Sequence, residues 1–322
     1  MIADLLRVNQ LAYELYKQHV AEVATYIHSR QLHPSFRTNG QNLSLGYAPP
    51  GNKLLQQIKK TGDPSLLEAA LDVGLIKKSD DGRLYDFFRE RLMIPILTGS
   101  DIIGFGGRVV DVNSAHSKYI NSQESQLFDK SGALFCVDPV NSICDLTLVV
   151  EGYMDAITVA KNGFGAGAGM GTALTTRQLA AALDMGKPVV LLFDGDAAGQ
   201  KAAKKAAITA LSEISPSRKV EVCLLYDGFD PDEFIHEFGA EALLTHIGLN
   251  SVDVVDFVVH SDSEDIDQSI RHYTSILEII RSTKNPYAAN AVAQRMAAGY
   301  PSEMVGELAE TSHQDSPVSR CR

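Results

Sequence analysis

The sequence lacks a long hydrophobic run and paired cysteines, and each absence excludes a class of protein. No apolar run approaches the roughly 18 residues that a transmembrane helix needs, so no membrane association is expected. The N-terminal segment carries Asp4, unlike a secretory signal peptide. The four cysteines form no CxxC pair, which argues against a zinc ribbon and a disulfide framework. The expected compartment is a reducing cytoplasm.

Positive charge is also scarce. The chain has 29 lysine and arginine residues against 40 aspartate and glutamate residues, which gives a formal net charge of −11 over 322 residues. Because phosphate neutralisation needs clustered cations, this balance opposes strong, sequence-independent binding to duplex nucleic acid. Any nucleic-acid contact is expected to be local and weak. With 322 residues, 45% of them apolar, the chain can bury a sizeable core and is long enough for two or three modules.

One stretch organises the rest of the chain, residues 187–200, KPVVLLFDGDAAGQ. Its short β-branched apolar run predicts a strand buried on both faces, and the Ala- and Lys-rich stretch that follows predicts a crossover helix. Asp194 and Asp196 then lie at the carboxyl end of a central strand, where open α/β sheets bind ligands. The alternative is that both are ordinary turn and N-cap residues.

The same pattern occurs twice more. Glu151 follows the apolar run 146–150, with Asp155 four residues later, and the two carboxylates would share a face if Glu151 opened a helix. Asp227, Asp230 and Asp232 follow a third run. Carboxylates clustered at one rim repel each other unless a cation binds them, and Mg²⁺ or Mn²⁺ is the expected ion.

Two further segments keep competing interpretations. Residues 79–130 carry arginines and lysines mixed with acids, and a predicted strand there contains glycines at 104–107. This combination is typical either of a bulged, solvated hairpin or of a surface that contacts phosphates. The glycine-rich residues 163–171 either present backbone N–H groups to a phosphate or let a strand and a helix pack closely; we favour close packing.

These residues carry a resemblance. The chain resembles the RNA polymerase core of bacterial and phage DnaG-type primases, including its Toprim module. The matching words span about residues 46–240 in the family's order: GYAPPG (46–51), FRERLMIPI (88–96), IIGFGGRVV (102–110), KYINSQES (118–125), VVEGYMDAITVA (149–160), GMGTALT (169–175), LLFDGDAAGQKAA (191–203) and DGFDPDEFI (227–235).

The resemblance implies an α/β fold with a Toprim-type parallel sheet core, flanked by an N-terminal α+β subdomain and a C-terminal helical subdomain. The expected ranges are 1–140 for the N-terminal subdomain with a basic groove and 141–240 for the Toprim metal-binding catalytic domain. A helical subdomain over 241–310 and a disordered tail over 311–322 would follow.

The resemblance also implies roles for particular residues. The acidic metal centre would consist of Glu151, Asp155, Asp194, Asp196, Asp230 and Asp232. Catalysis is assigned to Glu151, Asp155, Asp194 and Asp196. Nucleic acid and nucleotide would contact Arg89, Arg91, Arg108, Lys118 and Lys130. The chain departs from the family at Asp129, beside Lys130, and at Phe87, where positive charge is common, and both changes weaken nucleic-acid contact.

The implied function is a DNA primase, a DNA-directed RNA polymerase that makes short RNA primers on single-stranded DNA during replication. Its expected cofactor is Mg²⁺ or Mn²⁺, with no zinc in this chain. Its expected partners are single-stranded DNA, ribonucleotide triphosphates and either a replicative helicase or a separate zinc-binding, template-recognition module. Alternatives are Toprim-type phosphodiester cleavage, as in nucleases and topoisomerases, and a non-catalytic module that binds a replication protein.

Overall fold

The computed structural model describes residues 2–111, 113–171, 173–226, 228–260, 275–276, 278–279 and 281–299. The chain divides into two compact units, Met1–Asp145 with Val150–Thr172, and Leu146–Val149 with Ala173–Arg322. Asp227 of the third acidic motif and the predicted tail 311–322 lie outside the described residues, as does part of the predicted helical range 241–310.

The first unit combines helices with antiparallel strands. Its helices are α1 (Ile2–Gln18), α2 (Ala24–Ser29), α3 (Lys53–Thr61), α4 (Pro64–Asp72) and α5 (Tyr153–Lys161). Its strands are β1 (Ser35–Thr38), β2 (Gln41–Ser44), β3 (Gly46–Ala48), β4 (Ile76–Lys78), β5 (Leu84–Asp86), β6 (Arg91–Thr98), β7 (Asp101–Val109), β8 (Tyr119–Asn121), β9 (Phe135–Val137) and β11 (Gly165–Ala168).

The core of the first unit lies between α1 and an antiparallel sheet of order β3-β6-β7-β8. Strand β6 is buried from Arg91 to Leu97, as its apolar run requires. Tyr16 of α1 packs edge-on against Phe105 of β7, with ring centroids 5.6 Å apart. Two hairpins, β1-β2 and β4-β5, and the antiparallel pair β9-β11 complete this unit.

The second unit contains the parallel strands. Strand β10 (Thr147–Val150) runs parallel to β12 (Val189–Phe193), which runs parallel to β13 (Val220–Leu224), and β14 (Val252–Asp253) closes the edge antiparallel to β13. All five residues of β12 are buried, as predicted for a central strand. The helices are α6 (Thr176–Leu183), α7 (Ala197–Ala210), α8 (Pro231–Phe238), α9 (Ala240–Asn250), α10 (Val254–His260) and α11 (Pro286–Gly299).

Helix α7 packs on β12 and β13, and α10 packs on α7, which buries the apolar strands under helices. The α/β fold class with a parallel sheet is therefore confirmed. The subdomain boundaries at residues 140, 240 and 310 stay predictions. No described helix combines the length and the apolar character that crossing a membrane requires.

Candidate metal centre and nucleic-acid surface

Asp194, Gly195 and Asp196 form the turn that joins β12 to α7. Asp196 is the N-cap of α7, and its Oδ1 accepts a hydrogen bond from the Gly199 amide at 2.7 Å. Asp194 is half-buried and precedes the cap. A Cβ on Gly199 would lie 2.3 Å from the Asp194 carbonyl oxygen. The motif therefore needs glycine at position 199, because the backbone of α7 passes close to the backbone of Asp194.

Asp196 therefore matches the capping interpretation, but capping uses only one carboxylate oxygen. Its other oxygen accepts no hydrogen bond from the described residues. A cap and a metal ligand are compatible on one aspartate, because the capping hydrogen bond occupies one carboxylate oxygen and the other can bind a cation.

The turn between β13 and α8 repeats this arrangement. Asp230 is the N-cap of α8, its Oδ1 accepts from the Glu233 amide at 2.7 Å, and Pro231 occupies the first helical position. Burial raises the pKa of Asp230, and the neighbouring charges of Glu233 and Asp232 raise it further. A carboxylate whose ionised form is disfavoured by burial and by like charges gains stability when a cation binds beside it.

Glu151 and Asp155 lie in the first unit. The hypothesis that Glu151 opens a helix is wrong, because α5 begins at Tyr153 and its N-cap is Gly152. Asp155 lies in the first turn, where the helix dipole favours a negative charge. A Cβ on Gly152 would lie 2.7 Å from Asp155 Oδ2, so the carboxylate reaches back over the cap position.

The donor chemistry of these acids fits a hard divalent cation, since carboxylate oxygens are the ligands that Mg²⁺ and Mn²⁺ prefer. Across the part of the chain that the structure describes, however, no three His, Cys, Asp or Glu side chains converge closely enough to hold an ion. The assignment of Glu151, Asp155, Asp194, Asp196, Asp230 and Asp232 as ligands stays a prediction.

The predicted nucleic-acid-binding arginines are built into the first unit. Arg108 is 6% exposed, its Nη1 donates to the Tyr119 hydroxyl at 2.7 Å, and its guanidinium lies 5.3 Å from the centre of the Tyr119 ring. Arg91 is equally buried and donates through Nη1 to the carbonyls of Gly107 and Ser117, at 3.1 and 2.9 Å. Burial lowers the pKa of Arg91. Both arginines therefore have structural contacts.

The other predicted basic residues are one arginine with structural contacts and two lysines of different exposure. Arg89 donates to Asn52 Oδ1 at 2.6 Å and lies over the Tyr85 ring, at 5.1 Å from its centre. Lys118 is exposed and Lys130 is half-buried. The five predicted basic residues all belong to the first unit, and their role in binding nucleic acid stays a prediction.

The glycines of β7 make room for side chains of the protein itself. Cβ atoms on Gly106 and Gly107 would lie 2.8 Å from the rings of Tyr153 and Phe88. The register of this hairpin shifts beside Gly104, because Ile96 pairs with Gly104 and Leu97 pairs with Ile102, which leaves Ile103 as the extra residue of β7. The expectation of a bulge in this glycine-containing strand is therefore confirmed beside Gly104, and the alternative of an approaching ligand stays a prediction. Gly106 and Gly107 mark close packing. In the glycine-rich stretch 163–171, strand β11 is buried at every position, which agrees with the close packing favoured there.

Sequence reasoning missed Asn121, which ties three segments of the first unit together. Its Oδ1 accepts a hydrogen bond from the Tyr153 hydroxyl at 2.8 Å, and its Nδ2 donates to the Met170 carbonyl at 2.9 Å. The only sequence signal is its place inside the word KYINSQES. A neutral asparagine in a short half-buried strand carries no pattern that distinguishes it from a solvated one.

The comparisons with known proteins agree with this arrangement. The family model of the DNA primase catalytic core, N-terminal domain, matches residues 11–141, and the Toprim-like model matches residues 148–235. The chain belongs to the DnaG-type primase family. A DNA primase of Escherichia coli strain K12 is 37% identical over 205 residues, which make up 62% of this chain and 35% of that protein.

Solved primase structures match more than nine-tenths of this chain. A crystal structure of a DNA primase domain from Pseudomonas aeruginosa gives a TM-score of 0.79 at 29% identity and covers 95% of this chain and 99% of that one. A structure of the DnaG primase catalytic domain bound to ssDNA gives 0.75 at 27% identity, with 92% and 98% covered. The chain spans less than half the length of the curated primases that it matches.

Proposed function

We propose that this chain is the catalytic core of a DNA primase, which makes short RNA primers on single-stranded DNA by metal-dependent nucleotidyl transfer. The observation that carries the proposal is the match of its fold to a DNA primase domain, at a TM-score of 0.79, and to a primase catalytic core, at a TM-score of 0.77. Two aspartate turns at the carboxyl ends of parallel strands support it, because that is where such sheets bind ligands.

The proposed reaction is an in-line attack of a primer 3′-hydroxyl on the α-phosphate of a ribonucleotide triphosphate, with pyrophosphate leaving. Bound Mg²⁺ or Mn²⁺ would offset charge on the phosphates and activate the hydroxyl. Asp194, Asp196, Asp230 and Asp232 would hold the ion in the second unit. The caps at Asp196 and Asp230 would fix the direction of each carboxylate before any ion binds.

Glu151 and Asp155 are proposed as the acids of the first unit. Glu151, which directly follows β10, would accept a proton or act as a bridging ligand. Strand cleavage by Tyr153 is disfavoured, because Tyr153 is 3% exposed and its hydroxyl donates to Asn121. Burial raises the pKa of Tyr153. A buried, protonated phenol is a poor nucleophile toward a DNA strand.

Several finer features belong to the same proposal. Ribonucleotide triphosphates and single-stranded template are the proposed substrates, and a replicative helicase or a separate zinc-binding module is the proposed partner. A cytoplasmic location is proposed from the low cysteine content and from the replication role. The scarcity of positive charge predicts that template binding by this chain alone is weak.

The decisive experiment is primer synthesis on single-stranded DNA with labelled ribonucleotide triphosphates and Mg²⁺ or Mn²⁺. The wild-type chain should give short labelled products, and Glu151→Gln should give none. Glu68→Gln, an exposed glutamate of α4, is the matched control and should keep activity. Template cleavage without incorporation of nucleotide would favour the nuclease alternative, and binding without either reaction would favour the non-catalytic module.

A further inference from the structure

An exposed aromatic surface lies beside the aspartate turns of the second unit. Tyr226 is 55% exposed and Phe238 is 47% exposed, and both lie around the buried ring of Phe234. Tyr226 follows β13 and precedes the capping residue Asp230 by four positions. Neither the metal-binding proposal nor the basic residues of the first unit use this surface.

The ring of Tyr226 is supported from behind. It meets His246 edge-on, with centroids 4.6 Å apart, and it lies 5.7 Å from Phe234. His246 is buried, with one ring nitrogen 2.9 Å from the Leu224 carbonyl and the other 3.2 Å from Asn250 Nδ2. Because a carbonyl only accepts, His246 Nε2 carries the proton and donates. The support is therefore fixed, while more than half of the Tyr226 surface faces outward.

The backbone of Tyr226 is held against the first aspartate turn. A Cβ on Gly195 would lie 2.3 Å from both the carbonyl carbon and the carbonyl oxygen of Tyr226. The Leu225 amide donates to the Phe193 carbonyl at 3.0 Å, which continues the pairing of β12 with β13. Tyr226 is thus adjacent to the residue between Asp194 and Asp196, and its position relative to them is set by backbone packing.

We propose that Tyr226 is a stacking residue for a nucleobase, placed beside the aspartates that would hold the metal-bound phosphates. The inference rests on the proposed function and adds to it a binding site for the base. Aromatic side chains stack on any base, because every base has a π-face, so such a site tolerates sequence. It also needs no positive charge, which suits a chain of net charge −11.

A nucleobase explains this surface better than an apolar protein partner. The Tyr226 backbone packs on Gly195, so an apolar partner that covered Tyr226 would lie beside the turn that carries the exposed Asp196, and an apolar surface brings no cation to that carboxylate. A nucleotide arrives with divalent cations on its phosphates, which compensate that carboxylate. The flat, half-exposed ring and the adjacent acids therefore match the two ends of one nucleotide.

The test measures whether the affinity for a ligand depends both on the Tyr226 ring and on the presence of a base. Binding of a labelled oligothymidylate of about 12 nucleotides and of an abasic strand of equal length is followed by fluorescence anisotropy, and ATP binding with Mg²⁺ is followed by calorimetry. Tyr226→Ala should weaken binding of at least one base-bearing ligand by about tenfold, and Tyr226→Phe should restore it. The abasic strand should bind wild type and Tyr226→Ala equally. Loss confined to the oligonucleotide assigns the site to a strand, and loss confined to ATP assigns it to the incoming nucleotide.

Tyr287→Ala, which removes another exposed tyrosine of the second unit, is the matched control and should change nothing. The inference is overturned if wild type binds these ligands and Tyr226→Ala binds them equally well, or if the abasic strand loses as much affinity as the normal one. A change of oligomeric state in Tyr226→Ala without loss of ligand would instead assign the surface to self-association. Failure of wild type to bind either ligand would overturn the proposed function together with this inference.

Discussion

The hydroxyl of Tyr153 donates a hydrogen bond to Asn121 Oδ1 at 2.8 Å, which joins the first residue of α5 to strand β8. The Tyr153 ring also packs edge-on against Phe135, at 5.0 Å between centroids. Asp155 lies on the same helical turn as Tyr153. The buried phenol therefore fixes the part of the first unit that carries a predicted catalytic acid.

The packing of Tyr153 makes Gly106 intolerant of a side chain. A Cβ on Gly106 would lie 2.8 Å from Cε2 of the Tyr153 ring, and this ring is held by Asn121 and by Phe135. We expect Gly106→Ala to lower the free energy of unfolding by about 1–3 kcal/mol, since overpacking a dense core forces side chains out of place. Urea denaturation measures this change.

Gly248→Ala is the matched control for Gly106→Ala. Gly248 lies in helix α9, and a Cβ there would have no atom within 4 Å. Alanine should raise the free energy of unfolding by about 0.5–1 kcal/mol at this site, because glycine is a poor residue inside a helix. If both variants shifted in the same direction, the packing argument for Gly106 would be wrong.

Sequence reasoning succeeded where a local pattern decides the structure. The short β-branched apolar run 189–193 predicts a buried strand, which the structure confirms, and the acids after it lie at the carboxyl end of that strand. Asp63 before Pro64 predicts an N-cap, and the Asp63 carboxylate does accept from the Ser65 amide at 3.0 Å. These features depend on residues that are neighbours in the chain.

Sequence reasoning failed where the partner is distant in the chain. Gly106 and Gly107 of β7 are explained by the rings of Tyr153 and Phe88, and the burial of Arg108 is explained by Tyr119. No spacing rule predicts that Tyr226 backbone atoms press on Gly195, which is more than thirty positions earlier along the same chain. Tertiary packing determines which residue types fit at these positions, and a single sequence does not show which distant residues are in contact.

The raised pKa of Asp230 predicts a pH dependence of stability. Burial and the charges of Glu233 and Asp232 raise this pKa above its ordinary 3.8, so ionisation costs more in the folded state. The contribution of Asp230 to stability is complete below pH 3.8 and is lost as the pH rises through the raised folded value. Asp230→Asn does not titrate and still caps α8, because asparagine caps as well as aspartate.

We therefore expect Asp230→Asn to gain stability over wild type as the pH rises above 3.8, and then to keep a constant advantage. Urea denaturation in chelator from about pH 3 to 7 measures the difference. Asp63→Asn should behave oppositely, because hydrogen bonds from Ser65 lower the pKa of Asp63 and wild type gains as the pH rises toward 3.8. A difference for Asp230→Asn that is independent of pH would contradict the assigned cause.

Metal binding predicts a second linkage. If Asp194 and Asp196 are ligands, Mg²⁺ or Mn²⁺ should raise the melting temperature, with a stabilisation of about 2.7 kcal/mol at a hundred times the dissociation constant. The double variant Asp194→Asn, Asp196→Asn should lose that rise. Its melting temperature in chelator should equal or exceed that of wild type, because asparagine at 196 keeps the cap on Gly199 and like charges are removed.

Asp63→Asn is the control for this metal experiment, since it alters the N-cap of α4 in the first unit and should keep the full metal response. A double variant that melts well below wild type in chelator would show that the two aspartates stabilise the fold without a metal, and would assign them a structural role. A wild-type melting temperature that ignores both metals would remove the metal assignment from this turn.

Binding of single-stranded DNA should depend on few phosphate contacts, since the chain carries a net charge of −11. Affinity should therefore be weak and should fall at moderate salt. Lys118 is exposed, so Lys118→Ala should weaken binding, lower the salt slope by about 0.7 and leave the melting temperature unchanged. Lys130→Ala should weaken binding in the same way. Fluorescence anisotropy across a salt series gives both the affinity and the slope.

Two substitutions of Arg108 distinguish the effect of its charge on DNA binding from the effect of its packing on stability. Arg108→Ala should weaken binding and also destabilise the first unit, because it removes the hydrogen bond to Tyr119 and the guanidinium above that ring. Arg108→Lys keeps the charge without that geometry, so it should lose stability but retain most of the salt slope. Lys60→Ala, an exposed lysine of α3, is the matched control and should leave affinity unchanged. Affinity that persists in high salt, or equal binding by Lys118→Ala, Lys130→Ala and the control, would return these cations to an ordinary solvated surface.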